Sequence, residues 1–266
     1  PVITGLHHVA IVVRELGPVA SAYERLLGTA PMAQDGGGAK RAWFWLDNMG
    51  LEIVAPDGEG PSGDRVRARL DAAGEGVWLV AFAADDFDAT VRLCERRGLA
   101  IAERTGRAAM FEPASTGGVQ VALMNFPPLP SQRAGQVAAL DHVVIRTANA
   151  DRAVANFGGR LGLDLRLDRS NEGWGVRQLF FKAGDAVVEF GASLKAPVTD
   201  APDSFGGLAW RVPDPAAAQA AMTAAGFKVS ELRTGRKPGT HVFTVRDAPG
   251  GVPTLMLSAE PQTEAA

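Results

Sequence analysis

The sequence predicts an α+β protein built from four β-α-β-β-β modules paired into two domains. Three observations predict it. First, Leu140-Asp141-His142-Val143-Val144-Ile145-Arg146 copies Leu6-His7-His8-Val9-Ala10-Ile11-Val12, about half the 266-residue chain away. Second, each copy is followed by a turn and a helix that carries an aromatic residue and ends in Leu-Gly: Tyr23 with Leu27-Gly28, then Phe157 with Leu161-Gly162. Third, a proline-rich stretch, Phe126-Pro127-Pro128-Leu129-Pro130 through Gly135, separates the copies; proline removes donors and holds a chain extended.

The elements follow in order. Leu6 to Val13 is a β-branched strand. The helix Leu16 to Leu27 puts Val19, Tyr23, Leu26 and Leu27 on one face, with Gly28 as its C-cap. Strands are expected from Ala30, over Ala42 to Asp47 and over Gly50 to Ala55, with Asp47-Asn48-Met49-Gly50 as a hairpin-type turn. Pro56 to Gly63, rich in Gly, Pro and acids, is expected as a loop, and Arg65 to Ala73 as a short helix. The plan then restarts with a strand at Val77 to Ala83. A helix after Asp85-Asp86 runs through Arg97, its acids at the end where the dipole favours them, and Gly98 stops it. Ile101 to Arg104, Ala108 to Glu112 and Val119 to Asn125 complete the second module.

The third module opens on the strand with His142. It continues through the helix Ala150 to Leu161, strands at Leu163 to Asp168, Arg177 to Lys182 and Ala186 to Phe190, and a turn at Ala183-Gly184-Asp185. Lys195 to Ser204 is a loop. The fourth module has strands at Leu208 to Val212, Val229 to Arg233, His241 to Val245 and Pro253 to Ser258. Its helix, Pro215 to Ala225, carries Pro at a helix start and Gly226 at its end. The expected division is residues 1–126, a linker at 127–137, residues 138–260, and a disordered tail at 261–266.

Apolar residues make up 46% and charged residues 21%, as in ordinary globular chains, so a packed core is affordable to the fold. The net charge of −3 and the lack of a Lys/Arg stripe argue against nucleic acid. Arg65-Val66-Arg67-Ala68-Arg69 and Arg233 to Lys237 are expected as a solvated helix face and a loop. Cys94 is the one cysteine, which excludes an intrachain disulfide and a cysteine zinc cage, and it is expected as a small buried hydrophobe. No leading basic-plus-apolar segment and no long apolar run stand out, so a cytoplasmic location without a membrane partner is expected. Pro1 suggests an initiator methionine that was removed.

Four such modules in this order resemble the vicinal-oxygen-chelate superfamily, which contains glyoxalases, bleomycin-resistance proteins, extradiol dioxygenases and methylmalonyl-CoA epimerases. The matching pieces are Gly5 to Val13, Leu140 to Ile145, Gly76 to Asp86 and Arg246 to Gly251. The resemblance implies cup-shaped mixed sheets, with a divalent metal (Fe, Mn, Zn or Mg) held by one side chain from the first and fourth strand of each paired module. By position the first domain offers His8 and Glu52, but Leu79 and Ala122 stand where the other two ligands are implied. The second offers His142 and Glu189, against Gly207 and Leu255. Each domain thus keeps half a site, and metal-free chemistry stands beside metal binding.

A catalytic transition-metal site typically uses three protein ligands, and non-haem iron oxygenases use two histidines and a carboxylate. The four histidines are His7, His8, His142 and His241. His241, on the strand beside the last, would be the third member of a His142/Glu189/His241 site. His7 alternates away from His8 and is expected to pack under the helix. His8 with Glu52, and His142 with Glu189, read equally as structural hydrogen-bonded pairs, because a buried carboxylate needs a partner. As acid/base pairs they suit proton transfer next to a carbonyl.

Reading every second residue, the first cup is small and apolar, whereas the second carries Arg146 and Arg211 beside Gly207 and Ala209. Arginine forks suit a carboxylate or phenolate, although strand-end arginines also snorkel to water. Trp43, Trp45, Trp174, Phe180, Phe181 and Phe243 would line an aromatic pocket or belong to the core. Trp78 and Trp210 are expected to pack against the helices. The expected function is an isomerase or lyase of the second cup, acting on a small carbonyl-bearing or aromatic metabolite. Glu189 would be base, His142 its partner, and Arg146, Arg211, His241 and Phe243 would bind substrate. A ring-cleaving extradiol-type dioxygenase and a bleomycin-resistance-like ligand-binding protein are the alternatives. A homodimer is compatible with open sheet edges.

Overall fold

The computed structural model of the chain describes residues 2–259, so the tail expected at 261–266 lies outside the described residues. Two eight-stranded mixed sheets carry the α+β architecture. The first module contributes β1 (Ile3–Val12), α1 (Leu16–Leu27), β2 (Met32–Gly36), β3 (Ala39–Trp45) and β4 (Gly50–Pro56). After α2 (Pro61–Ala73) come β5 (Gly76–Ala84), α3 (Phe87–Arg96), β6 (Ile101–Arg104), β7 (Ala108–Phe111) and β8 (Gln120–Met124). The strand order is β2-β3-β4-β1-β5-β8-β7-β6. In each module the first strand runs parallel to the last, and the two modules meet where β1 pairs antiparallel with β5.

The second sheet repeats this plan. It is built from β9 (Ala139–Arg146), α4 (Ala150–Ala153), β10 (Asp164–Asn171), β11 (Val176–Ala183), β12 (Ala186–Ser193), β13 (Ser204–Arg211), α5 (Pro215–Ala224), β14 (Arg233–Thr234), β15 (Thr240–Val245) and β16 (Thr254–Ala259). Its order is β10-β11-β12-β9-β13-β16-β15-β14.

Most expected elements stand where their chemistry places them. Gly28 ends α1 at φ 68°, donating its N–H to the Glu24 carbonyl. The Asp86 carboxylate caps α3 through Ala89 N–H, and Asp214 caps α5 through Ala217 N–H. Three elements differ. The helix after His142 is α-helical only to Ala153 and widens into π turns over Val154–Arg160, where Leu161 N–H reaches back five residues to the Asn156 carbonyl. Gly158 and Gly159 sit in that stretch, where helical preference is weakest. The strand expected at Val229 to Arg233 reduces to one bridge, Val229 to Val245, plus β14. The loop expected up to Gly63 already turns helical at Pro61, a residue pre-set for the first helical turn.

One continuous apolar core joins the two sheets through the helices between them. Tyr23 Oη of α1 donates to the Pro249 carbonyl of the fourth module at 2.9 Å, and Gly28 packs so closely on Gly135 that a Cβ there would lie 2.7 Å from the Gly135 Cα. The β3–β4 turn also staples the halves together. The Asn48 side chain donates to the Leu140 carbonyl at 2.7 Å and accepts from Leu140 N–H at 3.0 Å, and Asp47 N–H donates to the Ala138 carbonyl. Residues 125–138 fold back on the first half, where Ser131 and Arg133 both bond Asp47.

Both faces of β1 are covered, and from Leu6 onward every residue is buried. On β9 the pattern alternates: Val143 and Ile145 are buried, His142 and Val144 half-buried, and Arg146 exposed. β1 is closed on both sides, and β9 is open on one.

Replacing Asn48 with alanine removes both bonds to Leu140 and leaves a buried backbone pair unsatisfied. The expected loss is about 1–3 kcal/mol of unfolding free energy, read as a lowered urea midpoint at unchanged slope.

Candidate active site

Each sheet puts its histidine in the middle of the strand pair that joins its two modules. In the first, His8 faces Ala81 and Ala10 faces Leu79, while Glu52 lies beside Ala10 and Ala122 beside Ala81. Leu79 and Ala122 therefore stand at the positions symmetric to His8 and Glu52. In the second sheet the same relation pairs His142 with Gly207 and Glu189 with Leu255.

A one-residue bulge precedes each histidine. Leu6 pairs with Phe82 and His8 with Ala81, so His7 is the extra residue. Leu140 pairs with Trp210 and His142 with Ala209, so Asp141 is the extra residue. A bulge suspends strand alternation and re-aims the extra side chain. The expectation that His7 turns away under the helix fails for this reason: His7 Nδ1 lies 2.7 Å from His8 Nδ1, and its ring meets Trp45 and Phe126 edge-on.

The first cup is a buried, filled site. Burial pulls His8 well below its ordinary pKa, with His7 adding to the effect. Burial lowers His7 to about 4. The Glu52 carboxylate lies 3.6 Å from His8 Nε2 and 3.5 Å from Arg41 Nε. Burial pushes Glu52 up to about 7, and Arg41 only partly offsets it. Trp43 stands edge-on to His8 and stacks on Trp45. Ala10, Leu79, Ala81 and Ala122 pack together, and Val66 and Leu70 of α2 cover Val12 and Val54. Trp78, the extra residue of a second bulge, packs with these side chains, whereas Trp210 lies in the main core.

The second cup is charged and open. His142 Nδ1–H donates to Asp141 Oδ2 at 2.7 Å, and His142 Nε2 lies 3.4 Å from Glu189 Oε2. Burial lowers the His142 pKa, but the Asp141 hydrogen bond and the Glu189 charge outweigh it, and the imidazole stands above its ordinary value. Burial raises Asp141, but His142 and Arg211 overcome it, and its carboxyl falls below the ordinary value. Gln178 donates to Glu189 Oε1 at 3.0 Å. Beside His142 opens a cavity of about 330 Å³, lined also by Val144, Arg146, Gly207, Thr244 and Leu255.

The other expected site residues distribute differently. Arg146 lines the cavity, and its guanidinium has no ion-pair partner among the described residues. Arg211 is engaged instead by Asp141 at 2.9 Å and Asp185 at 2.7 Å, so it braces the histidine's carboxylate rather than offering an open fork. His241 pairs with Ser258 and Phe243 with Met256, while their neighbour Thr244 pairs with cavity-lining Leu255. Alternation puts His241 and Phe243 on the face away from His142, and Phe243 is fully buried in the core. Neither joins the site. The six aromatic residues do not converge: Phe181 is core, and Trp174 is exposed beneath Arg236. Sequence reasoning missed Asp141 and Gln178. The signal for Asp141 was Leu-Asp-His standing where the first copy has Leu-His-His.

The residues do not fit the metal cage that the resemblance implies. The second cup offers one histidine and one glutamate where at least three donors are typical, and in the first His7 and His8 face each other Nδ1 to Nδ1 rather than converging with Glu52. Asp141 sits on the Nδ1 side of the ring, away from Glu189. A Cβ on Gly207 would lie 2.6 Å from the Pro253 carbonyl, so a larger ligand has no room there. Among the described residues no group of three or more His, Cys, Asp or Glu is arranged to hold a metal ion.

The first cup makes a pH prediction. Glu52 binds a proton more tightly folded than unfolded, so its contribution is full below about 4.5 and is lost as pH rises to about 7. Glu52→Gln is expected to gain on the parent protein between pH 5 and pH 8, by on the order of 2 kcal/mol, in paired urea titrations. A constant difference across that range would contradict the raised carboxyl.

Comparison with known proteins agrees with this architecture. The family model described as Glyoxalase/Bleomycin resistance protein/Dioxygenase superfamily matches residues 7–113 and 141–244. Among solved structures, a mutant of 4-hydroxymandelate synthase from Streptomyces coelicolor superposes at TM-score 0.77, with 12% identity, over 97% of this chain and 93% of that one. A xylose isomerase-like TIM barrel/4-hydroxyphenylpyruvate dioxygenase fusion protein superposes at TM-score 0.72 and 10% identity over 99% of this chain, which spans 50% of the fusion. No curated protein sequence matches. At these identities the structures share a fold, and the family match covers both halves: the chain belongs to the glyoxalase/bleomycin resistance protein/dioxygenase superfamily.

Proposed function

We propose that the second cup catalyses proton transfer at a carbon next to a carbonyl, as an isomerase or lyase of a small carbonyl-bearing acid. The observation that carries this reading is the Asp141–His142–Glu189 array, whose His142 lines an open cavity and whose imidazole is held above its ordinary pKa. A protonated His142 is the acid that polarises the substrate carbonyl from Nε2. Glu189, kept in place by Gln178, is the base that takes the neighbouring proton. Asp141, braced by Arg211, is a positioning residue that keeps Nε2 aimed at the cavity. Arg146 at the cavity wall pairs with the substrate carboxylate.

The dioxygenase reading is disfavoured by donor count, because its iron uses two histidines and a carboxylate where this cup has one of each. The sequestering reading fits the first cup least, since that cup is filled by its own side chains.

The test is proton exchange. A panel of small α-keto acids and acyl thioesters is incubated with the protein in deuterium oxide, and loss of the α-proton signal is followed by NMR. His142→Ala and Glu189→Gln are each expected to slow exchange by about 10²–10⁴-fold. Asp141→Asn is expected to move the alkaline limb of the pH profile to lower pH, because the carboxylate that raises His142 is gone. Saturable binding of a panel member with no exchange would replace this reading with sequestration. Oxygen consumption dependent on added ferrous ion would replace it with the dioxygenase.

A further inference from the structure

A second and larger cavity, of about 680 Å³, lies between the two halves of the chain. Arg69 and Trp78 line it from the first half, and Arg146, Phe205 and Pro253 from the second. Its volume falls in the range of small-molecule sites. Two acids also line it: Asp203, whose one carboxylate oxygen pairs with Arg152 at 2.7 Å while the other is buried without a partner, and Glu75, which accepts from Arg14 N–H at 2.8 Å. Neither cavity arginine has an ion-pair partner among the described residues.

Arg69 spends one N–H on the Val77 carbonyl at 3.2 Å, and its Nε is buried without a hydrogen-bond partner. Burial lowers its pKa with no nearby carboxylate to oppose the effect. The Trp78 indole N–H is likewise buried and unpartnered. An unsatisfied buried donor is destabilising, the more so when charged. The remaining wall is largely apolar, with Val77, Val119 and Val252 among its residues.

We propose that this cleft is a ligand site for an organic anion with an apolar body, its carboxylate held between Arg69 of one half and Arg146 of the other. The apolar body lies against Trp78 and Phe205. The cleft shares Arg146, Gly206 and Pro253 with the second cup, so a ligand there withdraws Arg146 from the cup. The site shares Arg146 with the proton-transfer reading but uses neither His142 nor Glu189, so loss of exchange chemistry and loss of anion binding here are separable.

The probe is naphthoate, titrated into nitrogen-labelled protein at fixed ionic strength. The readout is the indole N–H resonance of Trp78, identified by its loss in Trp78→Phe. A saturable shift is expected, with affinity falling about tenfold or more in Arg69→Met and in Arg146→Met, the effect of losing a hydrogen bond to a charged group. Arg146 is exposed, so its variant keeps the fold even where Arg69→Met does not. Naphthamide, the neutral analogue, is expected to bind about tenfold more weakly. His142→Ala should leave the naphthoate affinity unchanged, even if it abolishes exchange chemistry. The proposal is overturned if Trp78 fails to shift, if both arginine variants bind as the parent does, or if naphthamide binds equally well.

Discussion

What each half can do depends on one antiparallel strand pair in the middle of its sheet. β1 against β5, and β9 against β13, join two modules that would otherwise end in open edges. Each pair bulges one residue before the cup histidine, and the bulged residue lands beside it. In the first half that residue is His7, so two buried imidazoles meet at 2.7 Å and burial keeps both uncharged. In the second it is Asp141, and the same geometry produces an ion pair. The backbone device is duplicated, but burial and His7 lower the imidazole beside it in the first half, whereas Asp141 and Glu189 raise the one in the second.

The repeated strand and Leu-Gly signals made the four-module fold legible, because alternation, helix faces and glycine caps are local properties of the chain. The pairs His8/Glu52 and His142/Glu189 came from the family resemblance, which implies one side chain from the first and fourth strand of each module, and each pair does lie on adjacent strands. What escaped was whatever breaks the period-two alternation. Asp141 and Trp78 occupy bulges, and no local signal announces a bulge, since it is set by how two distant strands settle into register. His241 and Phe243 failed by one residue of phase. Thr244, next to Phe243, is the residue of that strand that reaches the cavity.

The two cups also diverge through an element outside the repeat. α2 belongs to neither sheet, yet Val66 and Leu70 bury Val12 and Val54 on the cup face of the first sheet. No helix of comparable length follows β12, where 195–203 run as irregular chain. Burial of apolar surface, at roughly 25 cal/mol per Å², favours a filled first cup. That packing turns Glu52 into a buried carboxyl with a raised pKa, whereas the uncovered face of β9 leaves His142 and Arg146 in reach of a ligand.

The second cup also illustrates why a missing ligand position is not an empty one. Gly207 lacks a side chain because the Pro253 carbonyl approaches to within the space a Cβ would need, and that carbonyl accepts from Leu208 N–H at 3.0 Å. Restoring a histidine there would break the β13–β16 register, not merely add a donor. The cup's polarity therefore has to come from the other side of the histidine, through Asp141 and Arg211. In that chain the outer link, Arg211 to Asp185, is largely exposed and screened by water. The inner link, Asp141 to His142, is mostly buried, so it carries the electrostatic weight. Charge placed behind the ring, rather than donors placed around it, is what distinguishes this cup from the cage its fold is built to hold.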